Sequence, residues 1–371
     1  MRYALPALML AACTAAPTAA PVPSLAPAPA TEASAAPLLD PPLARTMPSR
    51  TLDPSAPVTR IAFGSCNQQY RRQDFWEAVA ASEPDAFVYL GDNVYGDVRS
   101  DDPTMPELRG AYYQLAASEA FAAFRDAVPV VPVWDDHDYG LNDAGGDFAL
   151  KATSEAMFED VWALPANDPR RARPGVYHEM SLGPDGQRVQ LILLDTRYFR
   201  TGLRETDERG ALGRERYLPT DDPEQSMLGA VQEAWLGEAL AQPADLRVVV
   251  SSVQVIAEGH GWEAWATMPA ARQRLLDLLD GAQGRTLVVS GDRHAGGLYA
   301  LGDLIEMTAS SLNAPIGGGP DAPEEAGPHR MGPMVRGVNF GTLEIDWAAR
   351  TGRFVLRDME GDVHQETSFA L

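Results

Sequence analysis

Cysteine is nearly absent, with two in 371 residues, at Cys13 and Cys66, which excludes a disulfide-stapled scaffold. Basic residues are also scarce: 30 Lys and Arg face 52 Asp and Glu, for a formal net charge of −22. So acidic a surface excludes nucleic-acid binding through a basic face. It also repels anionic substrates, so a site that handles phosphate needs bound cations to reverse the local field. No internal repeat is present, and past the amino terminus no stretch approaches the ~20 apolar residues of a membrane-spanning helix. The glycine run Gly317-Gly318-Gly319-Pro320 lacks the Gly-Lys-Ser/Thr ending of a phosphate-cradling loop, which argues against nucleotide binding there.

The amino terminus is patterned for export. Arg2 supplies a basic start, Ala4 to Ala12 a short apolar stretch, and Leu10-Ala11-Ala12-Cys13 reads as a bacterial lipobox. The expectation is a signal peptide over residues 1–12, then lipidated Cys13 and an Ala/Pro-rich disordered tether over residues 13–57. A single folded domain follows over residues 58–371. These features predict an exported, monomeric lipoprotein on the periplasmic side or the cell surface, tethered to membrane through Cys13. Cys66 then has no intramolecular partner and needs another role.

Within the folded part, runs rich in Val, Ile, Leu and Phe predict strands at 60–64, 86–90, 130–134, 189–194, 247–253 and 286–290. Helix-like segments at 74–82, 106–125, 153–164, 228–241 and 269–279 lie between several of them. Alternation of near-continuous apolar strands with helices predicts a sheet covered on both faces. From residue 298 closely spaced strands follow, at 298–301, 304–309, 341–347 and 352–357. Two sheets stacked face to face with helices outside satisfy both halves. The segment from Gly317 to Gly332 reads as a long surface loop.

Four short segments sit where strands end: Gly64-Ser65-Cys66, Gly91-Asp92-Asn93-Val94-Tyr95, Trp134-Asp135-Asp136-His137-Asp138 and Gly291-Asp292-Arg293-His294. Residues just past the carboxyl ends of neighbouring strands in an α/β sheet converge on one crevice. Thiolate, phenolate, carboxylate and imidazole gathered there suit a hard or borderline cation and a metal-dependent hydrolase. Asp92 is placed to bridge two cations. Cys66 and Tyr95 together favour a strong Lewis acid such as ferric iron, because both ligands must lose protons of high intrinsic pKa. Asp136 reads as a metal ligand, and His137 as the group that protonates the leaving alkoxide or steadies the phosphoryl group. Asp292 and His294, two apart, project to one side and serve adjacent cations, while Arg293 points elsewhere and is structural. Gln254 or Ser252 offers a further oxygen. Arg197 either partners a nearby Asp or grips phosphate, and His260 belongs either to a packing cluster with Trp262 and Trp265 or to the substrate rim.

Together these blocks resemble the alkaline phosphatase D (PhoD-like) family, within the calcineurin-like metallophosphoesterases. The family's motifs are matched at Cys66, Asp92, Tyr95, Asp136, His137, Asp292 and His294, with support from Leu194-Asp195-Thr196-Arg197-Tyr198 and Gln232-Glu233-Ala234-Trp235-Leu236. The resemblance implies an α/β fold, a four-layer α/β/β/α sandwich of two mixed sheets. It implies hydrolysis of phosphate mono- or diesters with Fe3+ held by Cys66 and Tyr95 beside Ca2+; the substrate is then a small phosphate ester or, because the tether holds the enzyme close to a membrane surface, a phospholipid head group. Two other readings compete: a thiol hydrolase using Cys66 and His137, and a non-enzymatic, calcium-stabilised surface-binding lipoprotein.

Overall fold

The computed structural model describes residues 45–317, 325 and 327–371. The expected signal peptide, Cys13 and the tether up to residue 44 lie outside the described residues. The amino-terminal half alternates strand and helix: β1 (Arg60–Gly64), α1 (Phe75–Ala81), β2 (Ala86–Tyr89), α2 (Pro106–Ala117), α3 (Glu119–Ala127), β3 (Val130–Val131), α4 (Asp136–Tyr139) and α5 (Lys151–Val161). Next come β4 (His178–Leu182), β5 (Val189–Leu193), the short pair β6 (Arg204–Glu205) and β7 (Tyr217–Leu218), α6 (Gly229–Leu240), β8 (Leu246–Ser251), α7 (Pro269–Asp280) and β9 (Arg285–Ser290). Six strands close the chain: β10 (Gly296–Leu301), β11 (Leu304–Ala309), β12 (Arg330–Val335), β13 (Phe340–Asp346), β14 (Thr351–Arg357) and β15 (Val363–Ala370).

Two mixed sheets result. One has six strands in the order β15-β14-β13-β1-β2-β3, the other seven in the order β12-β10-β11-β9-β8-β5-β4. β1, β2 and β3 run parallel, as do β5, β8, β9 and β11, so their carboxyl ends point one way within each sheet.

The period-two side-chain alternation of strands sorts residues into three cores. Ala62, Phe87 and Tyr89 pack with Trp76, Leu108, Phe121 and Phe158 under α1 to α5. The opposite faces of the same strands, Ile61, Phe63, Val88 and Leu90, meet Leu191, Val248, Val250, Leu287 and Val289 between the sheets. Ile192, Val249 and Val288 turn outward to Leu236, Leu240, Leu275 and Leu279 of α6 and α7. Helices, sheet, sheet and helices therefore stack as four layers, as expected. Strands buried on both faces explain why their sequences read as continuous apolar runs.

Several elements differ from expectation for local reasons. The helix expected over 106–125 is two helices, broken at Ser118, whose backbone is extended (ψ 116°) and whose Oγ accepts the Phe121 N–H at 3.3 Å as an N-cap. Residues 45–57 are seated on the body rather than belonging to a tether. Met47 is buried and donates its N–H to Val161 O at 2.6 Å, Arg125 Nη1 reaches Pro48 O at 2.6 Å, and Gly183 donates to Pro54 O at 2.9 Å. Met47 and Leu52 supply the apolar anchors in this segment. Residues 330–332 begin β12 instead of ending a loop, because β10 offers them a free edge.

Gly91, two residues past the end of β2, has φ +93°, and a Cβ there would stand 2.4 Å from Asp135 Cβ and 2.9 Å from Asp135 N. Gly91→Ala is expected to destabilise the domain by at least ~2 kcal/mol, since left-handed strain of ~1–2 kcal/mol adds to overpacking of ~1–3 kcal/mol. A lowered midpoint in urea unfolding with unchanged slope checks this.

Candidate metal centre and active site

The carboxyl ends of β1, β2, β3 and β9 bring the four blocks together. Cys66, Asp92, Asp292 and His294 leave their strands in the left-handed region, at φ +57°, +50°, +65° and +54°. Such turns are costly for residues with a Cβ and persist where the surroundings enforce them, as at functional sites. Asp138 does much of the enforcing: its Oδ1 accepts the N–H groups of Asp92 (3.2 Å) and Asp135 (2.6 Å), and its Oδ2 that of Asn93 (3.3 Å). One buried carboxylate thus ties the β2 loop to the β3 loop.

Cys66 Sγ lies 3.4 Å from Asp92 Oδ2 and 3.1 Å from Ser310 Oγ. Tyr95 OH is 3.0 Å from the same Asp92 oxygen and 3.3 Å from His294 Nε2. His294 Nδ1–H donates to Ala314 O. That bond leaves Nε2 with its lone pair facing Asp92, the tautomer a metal-ligating histidine needs. His137 Nδ1 bonds Asp97 Oδ2 at 2.9 Å, and its ring lies 4.2 Å from the Tyr95 ring. Asp136 Oδ2 accepts the Asp143 N–H at 2.7 Å.

Three overlapping groups have donor atoms within 4.8 Å of one another: Cys66, Asp92 and His294; Asp92, Asp136 and His137; and Asp92, Asp135, Asp136 and Asp292. Asp92 belongs to all three. Its Oδ1, like Asp135 Oδ2, is buried without a hydrogen-bond partner among the described residues, and an orphaned buried carboxylate oxygen is unfavourable unless a cation meets it.

The electrostatics agree. Burial pushes the Asp92, Asp135 and Asp292 carboxyls well above the ordinary carboxylate range, and neighbouring carboxylates push them further. Burial raises the Cys66 thiol and the Tyr95 phenol, and Asp92 adds to both shifts. For Asp136 burial is outweighed by the positive His137 and Arg197, which hold it well below the ordinary range. Burial opposes charge on His137 too, but Asp136, Asp92 and Asp97 outweigh it and raise its pKa to about 11. The donor set fits cations, because a positive ion reverses every upward shift.

Three expected substrate contacts lie elsewhere. Arg197 is fully buried; its Nε donates to Asp135 Oδ1 at 2.7 Å and its Nη1 to Glu263 Oε2 at 2.6 Å, so it partners carboxylates and does not grip phosphate. Ser252 Oγ bonds the same Asp135 oxygen. Gln254 and His260 are buried off the cleft: His260 Nε2–H meets Gln254 Oε1 at 3.0 Å, Gln254 Nε2 meets Thr308 Oγ1 at 2.9 Å, and the Trp262 N–H donates to His260 Nδ1 at 3.2 Å. Burial, reinforced by Arg293, keeps His260 neutral. The two supporting motifs meet each other, Gln232 clasping the Asp195 backbone with bonds of 2.9 and 2.8 Å.

A cleft of about 330 Å³ opens over the centre, and Asp136, His137, Asp292 and His294 line it with Arg71, Asp143, Arg216, Trp262 and Ile316. Arg293 lines it as well, its side chain buried against Trp262 and ion-paired with Glu325. Asp97, Asp138, Asp143 and Arg216 have no role in the sequence reading. Asp138 carries a signal, an acidic residue three after the N-cap of α4; Arg216 and Asp143 carry none.

Comparisons place this geometry among known folds. A solved structure of PhoD superposes with a TM-score of 0.67 at 17% identity, over 87% of this chain and 71% of its own. GAP50, the anchor in the inner membrane complex of Plasmodium, superposes with a TM-score of 0.55 at 13% identity, over 85% of this chain and 90% of its own. At such identities the likeness speaks for the fold. No curated protein matches the chain closely enough to count as a relative. The sequence model of the PhoD-like phosphatases matches residues 61–318, from β1 past His294. With all four blocks inside that match and their side chains gathered on one cleft, the chain belongs to the PhoD-like phosphatase family and is a phosphoric ester hydrolase.

Proposed function

We propose that this phosphatase is metal-dependent and works outside the cytoplasm on phosphodiesters or phosphomonoesters. The observation that carries the metal dependence is the buried Asp92 carboxylate, common to three ligand groups and with one oxygen unpartnered. Cys66, Tyr95, Asp92 and His294 would hold one ion, and their thiolate and phenolate donors suit Fe3+. Asp92, Asp135, Asp136 and Asp292, all oxygen donors, would hold a harder ion such as Ca2+. When bound, the cations supply Lewis-acid activation of water and positive charge for the phosphoryl oxygens.

The chain's own residues supply the proton and the positioning. His137 faces the cleft with Nδ1 engaged by Asp97, so its Nε2–H serves as the general acid toward a leaving alkoxide. Asp97 is itself fixed, its Oδ1 accepting the Asn142 N–H at 2.8 Å. Arg197 holds Asp135, and Asp138 holds the turn that presents Asp92. Trp262, Pro315 and Ile316 give the walls apolar surface. The thiol-hydrolase reading is not favoured, because Cys66 bonds Asp92 and Ser310 instead of His137, and burial suppresses its thiolate. Membership of a phosphatase family sets aside the non-enzymatic reading.

For location, the lipobox at Leu10–Cys13 supports a membrane tether, within reach of small phosphate esters or phospholipid head groups. No helix among the described residues is long and apolar enough to cross a membrane.

Turnover of bis(p-nitrophenyl) phosphate and p-nitrophenyl phosphate is expected, to be lost on chelation, restored by Ca2+ with iron, and lowered at least ~10³-fold by Asp92→Ala, in line with losses at electrostatic centres. Turnover indifferent to chelators would sink the metal reading, and the ratio of the two rates decides between diester and monoester. A second expectation concerns pH. The His137 acid acts when protonated, so activity falls as pH rises through its pKa; Asp97→Asn removes a raising interaction and should move the alkaline limb of kcat to lower pH. A limb that stays put would remove His137 from that role. Cys13→Ala should release the protein from the membrane fraction and abolish palmitate labelling.

A further inference from the structure

The cleft has a second wall whose two arginines the proposed hydrolysis leaves unused. Arg216, Trp262 and Arg293 all line it. The Arg216 and Arg293 guanidinium carbons lie 5.2 and 5.6 Å from the Trp262 ring centre, inside the ~6 Å range of a cation–π contact. Arg293 is 5% exposed, its Nε has no hydrogen-bond acceptor among the described residues, and the ion pair it makes there is with Glu325. A guanidinium so buried with an open N–H points to an anionic ligand. Arg216 spends Nη1 on Asp143 Oδ2, which also accepts the Tyr217 hydroxyl at 2.8 Å, while its side chain stays 27% exposed.

The wall is built rigidly. The Arg216 and Tyr217 N–H groups both donate to Gly261 O, at 2.9 and 2.7 Å, and the Gly261 N–H returns to the Glu215 carboxylate. A Cβ at Gly261 would stand 2.5 Å from Glu215 N, so only glycine lets the two segments touch. The buried His260–Gln254–Thr308 chain then fixes the backbone of Trp262 from below. Gln254 and His260 are thereby positioning residues for this wall.

Resting on the phosphatase reading, we propose that Arg216 and Arg293, braced by Trp262, form a second anion subsite. The favoured substrates then carry a second anionic group, a carboxylate or a further phosphoryl, beyond the scissile phosphate. With a net charge of −22 the general surface does not gather anions, so two guanidiniums on one wall act as local selection. Of the acidic groups around the same cleft, Asp143 and Glu325 each pair with one of the two subsite arginines, Arg216 and Arg293, while Glu263 is engaged by Arg197 and Arg200, and Asp136 and Asp292 belong to the proposed metal centre.

The test uses the full-length, metal-loaded enzyme. Inhibition constants are measured for ω-phosphonocarboxylates of three to six carbons and for alkylphosphonates of the same lengths, against turnover of a p-nitrophenyl ester. At least one carboxylate-bearing length is expected to bind about tenfold tighter than its alkyl counterpart. Arg216→Gln should reduce that preference below about threefold with alkylphosphonate binding unchanged, and Arg216→Lys should keep part of it. Trp262→Leu, which leaves the charges in place and removes their brace, should weaken the preference as well. Equal binding at every length, or a preference that survives both Arg216→Gln and Trp262→Leu, would overturn the subsite and leave the phosphatase standing. Absence of both phosphonate binding and ester turnover would overturn the phosphatase reading and the subsite together.

Discussion

Four carboxylates, Asp92, Asp135, Asp136 and Asp292, present oxygens within 4.8 Å of one another where the two sheets meet, and the surrounding structure answers to their repulsion. At an effective dielectric of ~20, two unit charges at that separation repel by ~3–4 kcal/mol. Only part of this is relieved from within. Arg197 neutralises Asp135 and His137 lies beside Asp136, while Asp92 and Asp292 are pushed toward protonation by burial and by their neighbours. Cations in the proposed centre would relieve this repulsion, and metal affinity and fold stability would then be linked.

The scaffold makes the crowding possible through backbone geometry. Left-handed turns after β1, β2 and β9 swing Cys66, Asp92, Asp292 and His294 inward, and Asp92 and His294 are pinned from behind. Asp138 collects the amides of two loops, Ser310 holds the His294 N–H at 3.0 Å, and Ala314 fixes its tautomer. Removing Arg197 would leave Asp135 without its buried counter-charge and Glu263 with Arg200 alone, which is why an arginine with no substrate to touch is held fully buried among them.

The acidic surface and the arginine-bearing cleft wall divide the labour. The bulk of the molecule offers anions no attraction, so recognition is confined to the cleft, where proposed cations would meet one phosphoryl group and two guanidiniums a second anion. The β6–β7 hairpin and the Gly259–Trp262 loop are joined through backbone bonds to Gly261, so the wall is presented as a unit.

The sequence by itself determined the strand and helix alternation, the strand ends that carry chemistry, and the identities of Cys66, Asp92, Tyr95, Asp136, His137, Asp292 and His294, because local periodicity and the strand-end rule need no knowledge of distant partners. Boundaries were less legible where a neighbour decides: Ser118 breaks a helix that periodicity alone would continue, and residues 45–57 dock because Met47 and Leu52 find apolar surface contributed by remote segments. Roles set by pairing were decided only by tertiary structure. Arg197, Gln254 and His260 turned inward to carboxylate, amide and threonine partners, while Arg293 turned to the cleft. Arg216 belongs to no motif and reaches that cleft only because Gly261 draws its hairpin in. A side chain's charge is written in the sequence, but the partner that consumes or frees that charge is chosen by which strands and loops the fold sets side by side.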